Sequence, residues 1–133
     1  MTYRILLCDD EPHILRASEI KFTRAGFDVH CVSDGQHAWE AIQAADEPFD
    51  LLISDYQMPR LDGLQLIGRL RENASTADMP VILLTAKGFE LDEDELKEQL
   101  NISALFSKPF SPRDLLMRAT QILEGATLPA SWM

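Results

Sequence analysis

Apolar residues gather along this chain in five short runs, each closed by polar or charged residues and followed by a stretch of mixed character. The runs are residues 3–8 (YRILLC), 27–32 (FDVHCV), 49–54 (FDLLIS), 80–85 (PVILLT) and 104–107 (ALFS). Runs of this length, without a clean two-residue alternation, suit strands covered on both faces. Between them the pattern shifts to helical spacing. Residues 14–25 predict a helix after Pro12, closed by Gly26 at the usual C-terminal position. Its apolar residues (Ile14, Leu15, Ala17, Ile20, Phe22) form no single stripe, so part of that surface is expected to face a partner. Residues 36–45 carry Ala38, Trp39 and Ile42 at helical spacing, with Trp39 expected in or beside the core, and Asp46-Glu47-Pro48 breaks the helix. Residues 64–71, with Asp62 near the cap, 92–100 and 112–123, stopped by Gly125, complete the set, and 73–79 (NASTADM) reads as loop.

Strands alternating with helices call for an α/β, doubly wound, five-stranded parallel sheet with five helices on its two faces. Right-handed crossovers leave few topologies, and in such sheets function collects at the carboxyl ends of the strands. The 133 residues fit one domain, predicted over 3–124, with 125–133 as a short C-terminal tail and no output domain. Trp132 in that tail is expected to pack loosely.

At 46 % hydrophobic and 26 % charged the composition is that of a soluble globular chain. A net charge of −10 argues against direct nucleic-acid binding, which needs Lys and Arg on the phosphates, and suits divalent cations or basic partners. Cys8 and Cys31 sit in separate apolar runs and read as free thiols in a reducing compartment. His13, His30 and His37 lack zinc-ligand spacing. Nothing resembles a signal peptide or a membrane span, so a cytoplasmic location without membrane contact is expected.

The chemistry sits where the runs end. Asp9 and Asp10 follow the first, Asp55 the third, Thr85 closes the fourth and Lys108 follows the fifth. Singly, each has a bland reading: helix-capping acids, a turn residue, a strand end, an exposed lysine before a proline. Together they fall on one edge of the predicted sheet. Carboxylates crowded there resist ionising, and a hard divalent cation resolves the conflict. Mg²⁺ fits, since it takes oxygen ligands, keeps waters and is held by one or two carboxylates with phosphate; the backbone carbonyl of Gln57 is a candidate for the remaining set. A carboxylate beside Mg²⁺ can attack phosphorus, which makes Asp55 the candidate phosphoacceptor, with Lys108 and the Thr85 hydroxyl facing the phosphoryl oxygens and small Ala86 leaving access.

These residues carry a resemblance. Asp9-Asp10-Glu11-Pro12, Asp55-Tyr56-Gln57-Met58-Pro59-Arg60-Leu61-Asp62-Gly63, Thr85-Ala86 and Lys108-Pro109-Phe110, in this order, are similar to the receiver domain of two-component response regulators, over nearly all of residues 3–123. The resemblance implies the flavodoxin-like strand order 2-1-3-4-5. It implies Asp55 as phosphoacceptor, Asp9, Asp10 and Asp55 as the Mg²⁺ carboxylates, Thr85 as the switch hydroxyl, and Lys108 as the phosphoryl-binding cation. It further implies a cis bond between Lys108 and Pro109, a phosphohistidine donor on a sensor histidine kinase or phosphotransfer protein, and a downstream protein partner, with homodimerisation open. The chain would then be a signalling switch rather than an enzyme, catalysing only its own phosphorylation and dephosphorylation. One departure stands out: the switch aromatic of the family lies three residues before the lysine, where this chain has Leu105, and Phe106 follows. Gln57 and Lys87 flank the site and are expected to tune phosphoryl lifetime.

Two other classes share parts of this pattern. A haloacid-dehalogenase-like Mg²⁺ phosphohydrolase also uses an aspartate nucleophile and a lysine, but needs Asp-x-Asp after the first strand, a spacing that Asp9-Asp10-Glu11 lacks. Flavin or nucleotide binding on the same fold needs a phosphate-cradling loop there, and three acids would repel a phosphate. The acid-rich stretch 90–95 (ELDEDE) reads as a solvated helix start favoured by the helix dipole, with a docking patch for a basic partner as the alternative.

Overall fold

The computed structural model describes residues 2–86 and 91–125. The expectations for Lys87 and Glu90 and for the tail beyond Gly125, Trp132 included, lie outside those residues. Ten elements alternate: β1 (Arg4–Cys8), α1 (Pro12–Arg24), β2 (Asp28–Val32), α2 (Gly35–Ala44), β3 (Leu51–Asp55), α3 (Gly63–Glu72), β4 (Val81–Thr85), α4 (Glu93–Leu100), β5 (Ala104–Ser107) and α5 (Pro112–Glu124). All strand pairs are parallel and the order is β2-β1-β3-β4-β5, as the resemblance implied.

Element ends moved where the chemistry of single residues decided them. β3 starts at Leu51 because Asp50 is occupied with β1: its carboxylate accepts from the Arg4 N–H at 2.7 Å, and its own N–H donates to the Arg4 carbonyl at 2.7 Å. The strand runs one residue further than expected, so Asp55 is its last member. Pro80 precedes β4, having no N–H for the ladder, though its carbonyl accepts from Leu52. α1 begins at Pro12, whose fixed φ suits a first helical turn.

The central strands β3 and β4 are buried along their whole length, and the two faces of the sheet collect separate cores. Leu6, Leu52 and Leu83 pack with Ala38, Leu66, Ile67, Leu70 and Leu96 under α2, α3 and α4. Ile5, Leu51, Ile53 and Ile82 pack with Phe22, Leu115, Leu116 and Ala119 under α1 and α5. Burying each such side chain stabilises the fold by about 1.5–3 kcal/mol. Trp39 is half-buried beside the first core, and both cysteines are free. Ile20 on α1 is the exposed large hydrophobic among the described residues, 37 % accessible, in line with the broken stripe of that helix. No helix among the described residues is long and apolar enough to cross a membrane.

Two polar devices fix the ends of the α3–α4 layer. Asp62 and Gln65 form a reciprocal capping box at the start of α3. At its end the Arg71 guanidinium donates to the carbonyls of Leu100 (2.8 Å) and Asn101 (3.2 Å), and to those of Ala77 (3.0 Å) and Thr76 (3.3 Å). That grip ties the tail of α4 to the loop entering β4. The N-terminus of α4 is capped by Asp92, and Glu93 pairs with Lys97 at 3.1 Å, which fits a solvated, dipole-favoured start.

Packing between the loops predicts opposite effects for two glycines. A Cβ on Gly35 would sit 1.9 Å from the Leu61 carbonyl oxygen, whereas one on Gly68, in mid-α3, meets nothing within 4 Å. Gly35→Ala should destabilise the protein by about 3 kcal/mol or more, as overpacking against backbone does. Gly68→Ala should stabilise it by about 0.5–1 kcal/mol. Urea unfolding midpoints at unchanged m-value provide the check.

Candidate functional site

β1, β3 and β5 deliver the charged groups to one rim. Asp9 follows Cys8, is 3 % exposed, and its Oδ1 accepts from the Glu11 N–H at 2.9 Å, a local turn that holds the carboxylate in place as α1 begins. Asp55 ends β3 at 5 % exposure. Gly63 at the start of α3 lies against that strand end: its N–H donates to the Tyr56 carbonyl at 2.7 Å, and a Cβ there would fall 2.5 Å from the Asp55 carbonyl oxygen. Lys108 leaves β5 at 8 % exposure, with its N–H bonded to the Thr85 carbonyl at 2.7 Å and the following Lys108–Pro109 bond cis.

The Lys108 ammonium meets three carboxylates. Nζ donates to Glu11 Oε1 at 2.9 Å and Asp9 Oδ1 at 3.3 Å, and lies 3.3 Å from Asp55 Oδ2. Asp9 Oδ2 is also only 3.0 Å from Nζ, yet this buried oxygen has no hydrogen-bond partner among the described residues, because the ammonium is poorly aligned with it. The charges attract, but the acceptor is left open. One oxygen from each of Asp9, Glu11 and Asp55 lies within 4.8 Å of the others, a spacing a single cation can bridge. An open carboxylate oxygen within a close set of oxygen donors fits a hard cation such as Mg²⁺.

Glu11, not Asp10, is the third carboxylate of that cluster. Past the end of β1, Asp9 is buried and Asp10 exposed, and the turn closed by the Glu11 N–H on Asp9 lets Glu11 Oε1 reach Lys108 Nζ at 2.9 Å. Asp10 is exposed and lines an adjoining cleft of about 390 Å³ with Tyr56, Gln57, Met58, Pro59 and Asp62. No local pattern in the sequence singles out Glu11 from its acidic neighbours.

Thr85 ends β4 at 3 % exposure. It stands one residue past Leu84, the ladder partner of Asp55, and among the described residues its hydroxyl is held only by a 3.5 Å contact with the Ala86 carbonyl. Leu105 packs with the α3–α4 core, whereas Phe106 packs on the opposite face of the sheet, edge-on to Phe110 with ring centroids 6.3 Å apart. Strand alternation therefore puts Leu105, and not Phe106, on the face of Thr85, since Thr85 pairs with Ser107.

A polar and sulfur cluster that the sequence did not signal braces the loops behind the acids. Asp34 caps α2 through the His37 N–H at 2.7 Å, and its carboxylate lies 2.9 Å from His37 Nδ1 and 3.7 Å from Arg60 Nη1. Arg60 adopts a left-handed backbone, φ 71°. Cys8 Sγ donates to the Asp34 carbonyl at 3.4 Å and to Met58 Sδ at 3.0 Å.

Burial and the adjacent Asp9 charge push the Asp55 carboxyl up to about 6, with Lys108 opposing them and the charge of Asp10 adding to them. Burial likewise raises Asp9. The hydrogen bond from Lys108 lowers Glu11. For Lys108, burial disfavours the charged form, but its bonds to Glu11 and Asp9 and the charges of Asp9 and Asp55 outweigh that, so the net shift is upward. The acids are under mutual strain that one ammonium only partly relieves.

Known proteins share this fold. The family model for the response regulator receiver domain matches residues 5–120. The transcriptional regulatory protein SrrA of Staphylococcus aureus is 36 % identical over 123 residues, covering 92 % of this chain and 48 % of SrrA, so the chain spans about half the length of the curated relatives it matches. Among solved structures, a putative response regulator from Chloroflexus aurantiacus J-10-fl superposes with a TM-score of 0.82 at 29 % identity, covering 93 % of this chain and 99 % of that one. The Francisella response regulator 1452 receiver domain gives 0.81 at 28 %, covering 92 % and 98 %. The receiver domain of the sensor histidine kinase PA1611 from Pseudomonas aeruginosa PAO1 gives 0.77 at 27 %, covering 92 % and 98 %, and holds a magnesium ion in its active-site cleft. With the whole sheet and the acidic rim inside the matched span, this chain belongs to the family of response regulator receiver domains.

Proposed function

We propose that Asp55 accepts a phosphoryl group from a phosphohistidine and that the protein works as a phosphorylation-controlled switch in two-component signalling. The observation that carries this is the convergence of Lys108 Nζ on Asp9, Glu11 and Asp55, contributed by three different strand ends. Asp55 supplies the attacking carboxylate oxygen; the O–P bond forms as the P–N bond to the donor imidazole breaks, and the imidazole leaves. Lys108, already desolvated and fixed, faces the transferred oxygens and has to loosen its hold on Glu11 to do so. The Thr85 hydroxyl, weakly engaged, is free to turn to a new acceptor, and Leu105 is the side chain on its face that would repack. Asp9 and Asp55, with Glu11 or Asp10 and the Gln57 carbonyl, would hold Mg²⁺, which when bound neutralises the acids and adds positive charge beside the phosphoryl oxygens.

Receiver domains are signalling domains that partner with sensor histidine kinases. This chain catalyses only its own phosphorylation and dephosphorylation, in the cytoplasm, and hands its state to a downstream protein or to a second copy. The groove between α1 and α5, with Ile20 and Leu116 flanked by Lys21, Arg24 and Arg113, supports docking of the phosphoryl donor. Residues 3–124 act as the switch unit.

Three outcomes are expected. Acetyl phosphate with Mg²⁺ should add one hydroxylamine-labile phosphoryl group, read by intact mass, and Asp55→Asn should add none; persistent labelling of that variant refutes the assignment. Millimolar Mg²⁺ should raise the melting temperature of the wild type, by linkage to the folded state, and leave Asp9→Ala unmoved. Equal shifts in both would rule out the carboxylate site.

Without Mg²⁺, the Asp55 carboxyl binds its proton more tightly folded, at about 6, than unfolded, at the ordinary value near 3.8. Stability therefore falls as pH rises through that window and stays reduced above it. Asp55→Asn should exceed the wild type on the order of 2 kcal/mol at about pH 7.5 and match it near pH 4. Urea denaturation at the two pH values measures this.

A further inference from the structure

We propose that Met58 is a site of reversible oxidation by a small peroxide, and that its sulfoxide switches off the adjoining acceptor site. The second half rests on the acceptor role of Asp55. Met58 is half-buried, as Met117 is, but it lines an open cleft beside Asp10 and Gln57 that is wide enough for a molecule the size of hydrogen peroxide. Met79 is core, at 8 % exposure, and Met117 is half-buried on α5. Among the described residues, the Met58 sulfur has polar company that the sulfurs of Met79 and Met117 lack: the Cys8 thiol lies 3.0 Å from it, and the Ser54 hydroxyl lies 3.8 Å away while donating to the Asp55 carbonyl at 3.0 Å. Cys8 itself is 1 % exposed, which keeps oxidant from it.

The step balances without a further reactant. A lone pair on Sδ attacks one peroxide oxygen, the S–O bond forms as the O–O bond breaks, and the departing hydroxide takes the proton left on the new S–OH. Sulfur is oxidised to sulfoxide, and peroxide is reduced to water. The product is a larger, polar group and a much stronger hydrogen-bond acceptor than a thioether. It draws on the donors at hand, Cys8 and Ser54, and competes with the Asp55 carbonyl for the Ser54 hydroxyl. The segment holding Met58 also holds Gln57, whose carbonyl is a candidate metal ligand. Displacing it disturbs the support of the site in the way that loss of an outer partner weakens a metal centre.

The full chain is treated with graded hydrogen peroxide, mapped by peptide mass, and then labelled from acetyl phosphate with Mg²⁺. The Met58 peptide is expected to gain one oxygen before those of Met79 and Met117. Labelling should fall about tenfold in step with that gain, the size of effect an outer-partner loss has at a metal site. Methionine sulfoxide reductase should restore it, and Met58→Leu should keep its own untreated rate after peroxide. The proposal is overturned if Met117 is modified while Met58 is spared, if complete Met58 oxidation leaves labelling unchanged, or if Met58→Leu loses labelling as steeply as the wild type. A wild type that takes no label before peroxide counts instead against Asp55 as acceptor, and the mapping alone then decides the oxidation site.

Discussion

Three acids and one ammonium within a few ångströms are the constraint around which this molecule is arranged. Lys108 contacts Asp9, Glu11 and Asp55, yet Asp9 Oδ2 keeps no hydrogen-bond partner among the described residues and the Asp55 carboxyl rises to about 6. Such a cluster opposes folding when it is left uncompensated, because desolvated like charges repel and one lysine cannot satisfy all of them. It persists because each member is delivered by a strand buried in the sheet. The two apolar cores beneath supply the stability that the rim consumes. A site held under this tension is poised for any species that brings positive charge or new donors.

The loops behind the acids are held with equal care. Gly63 is pressed to the Asp55 carbonyl and Gly35 to that of Leu61, contacts that exclude even a methyl group. Asp34 joins α2 to Arg60, and Cys8 touches Met58 across from β1. The strand ends and the loops next to them therefore form one interlocked surface rather than separate turns.

Much of this was legible in the amino-acid order. Apolar runs gave five strands and their helices, and Asp9, Asp55 and Lys108 were assigned to one edge by their places at the run ends. Strand order came from family resemblance, since periodicity does not say which strands pair. Glu11 entered the cluster only with the coordinates: Asp10 and Glu11 are both acids beside the same strand, and chain order does not say which of them reaches Lys108. The link from Asp34 to Arg60 and the Cys8–Met58 contact join residues 26 and 50 positions apart, respectively, in chain order, and no local pattern marks such pairs. The alternation that turns Phe106 away from Thr85 was within reach, needing only the count from Ser107 back to Leu105.

The attachment of α4 has a mechanical corollary. Leu96 is its buried residue, and its last carbonyls are gripped by Arg71, while at its acidic start the described residues supply a side-chain cap, a surface ion pair and the half-buried Leu91 against the core. A rod held by several hydrogen bonds at one end and more lightly at the other turns small pushes at the lighter end into rotation about the firmer one. The guanidinium of Arg71 is thus the fulcrum about which the negatively charged end of this helix would swing.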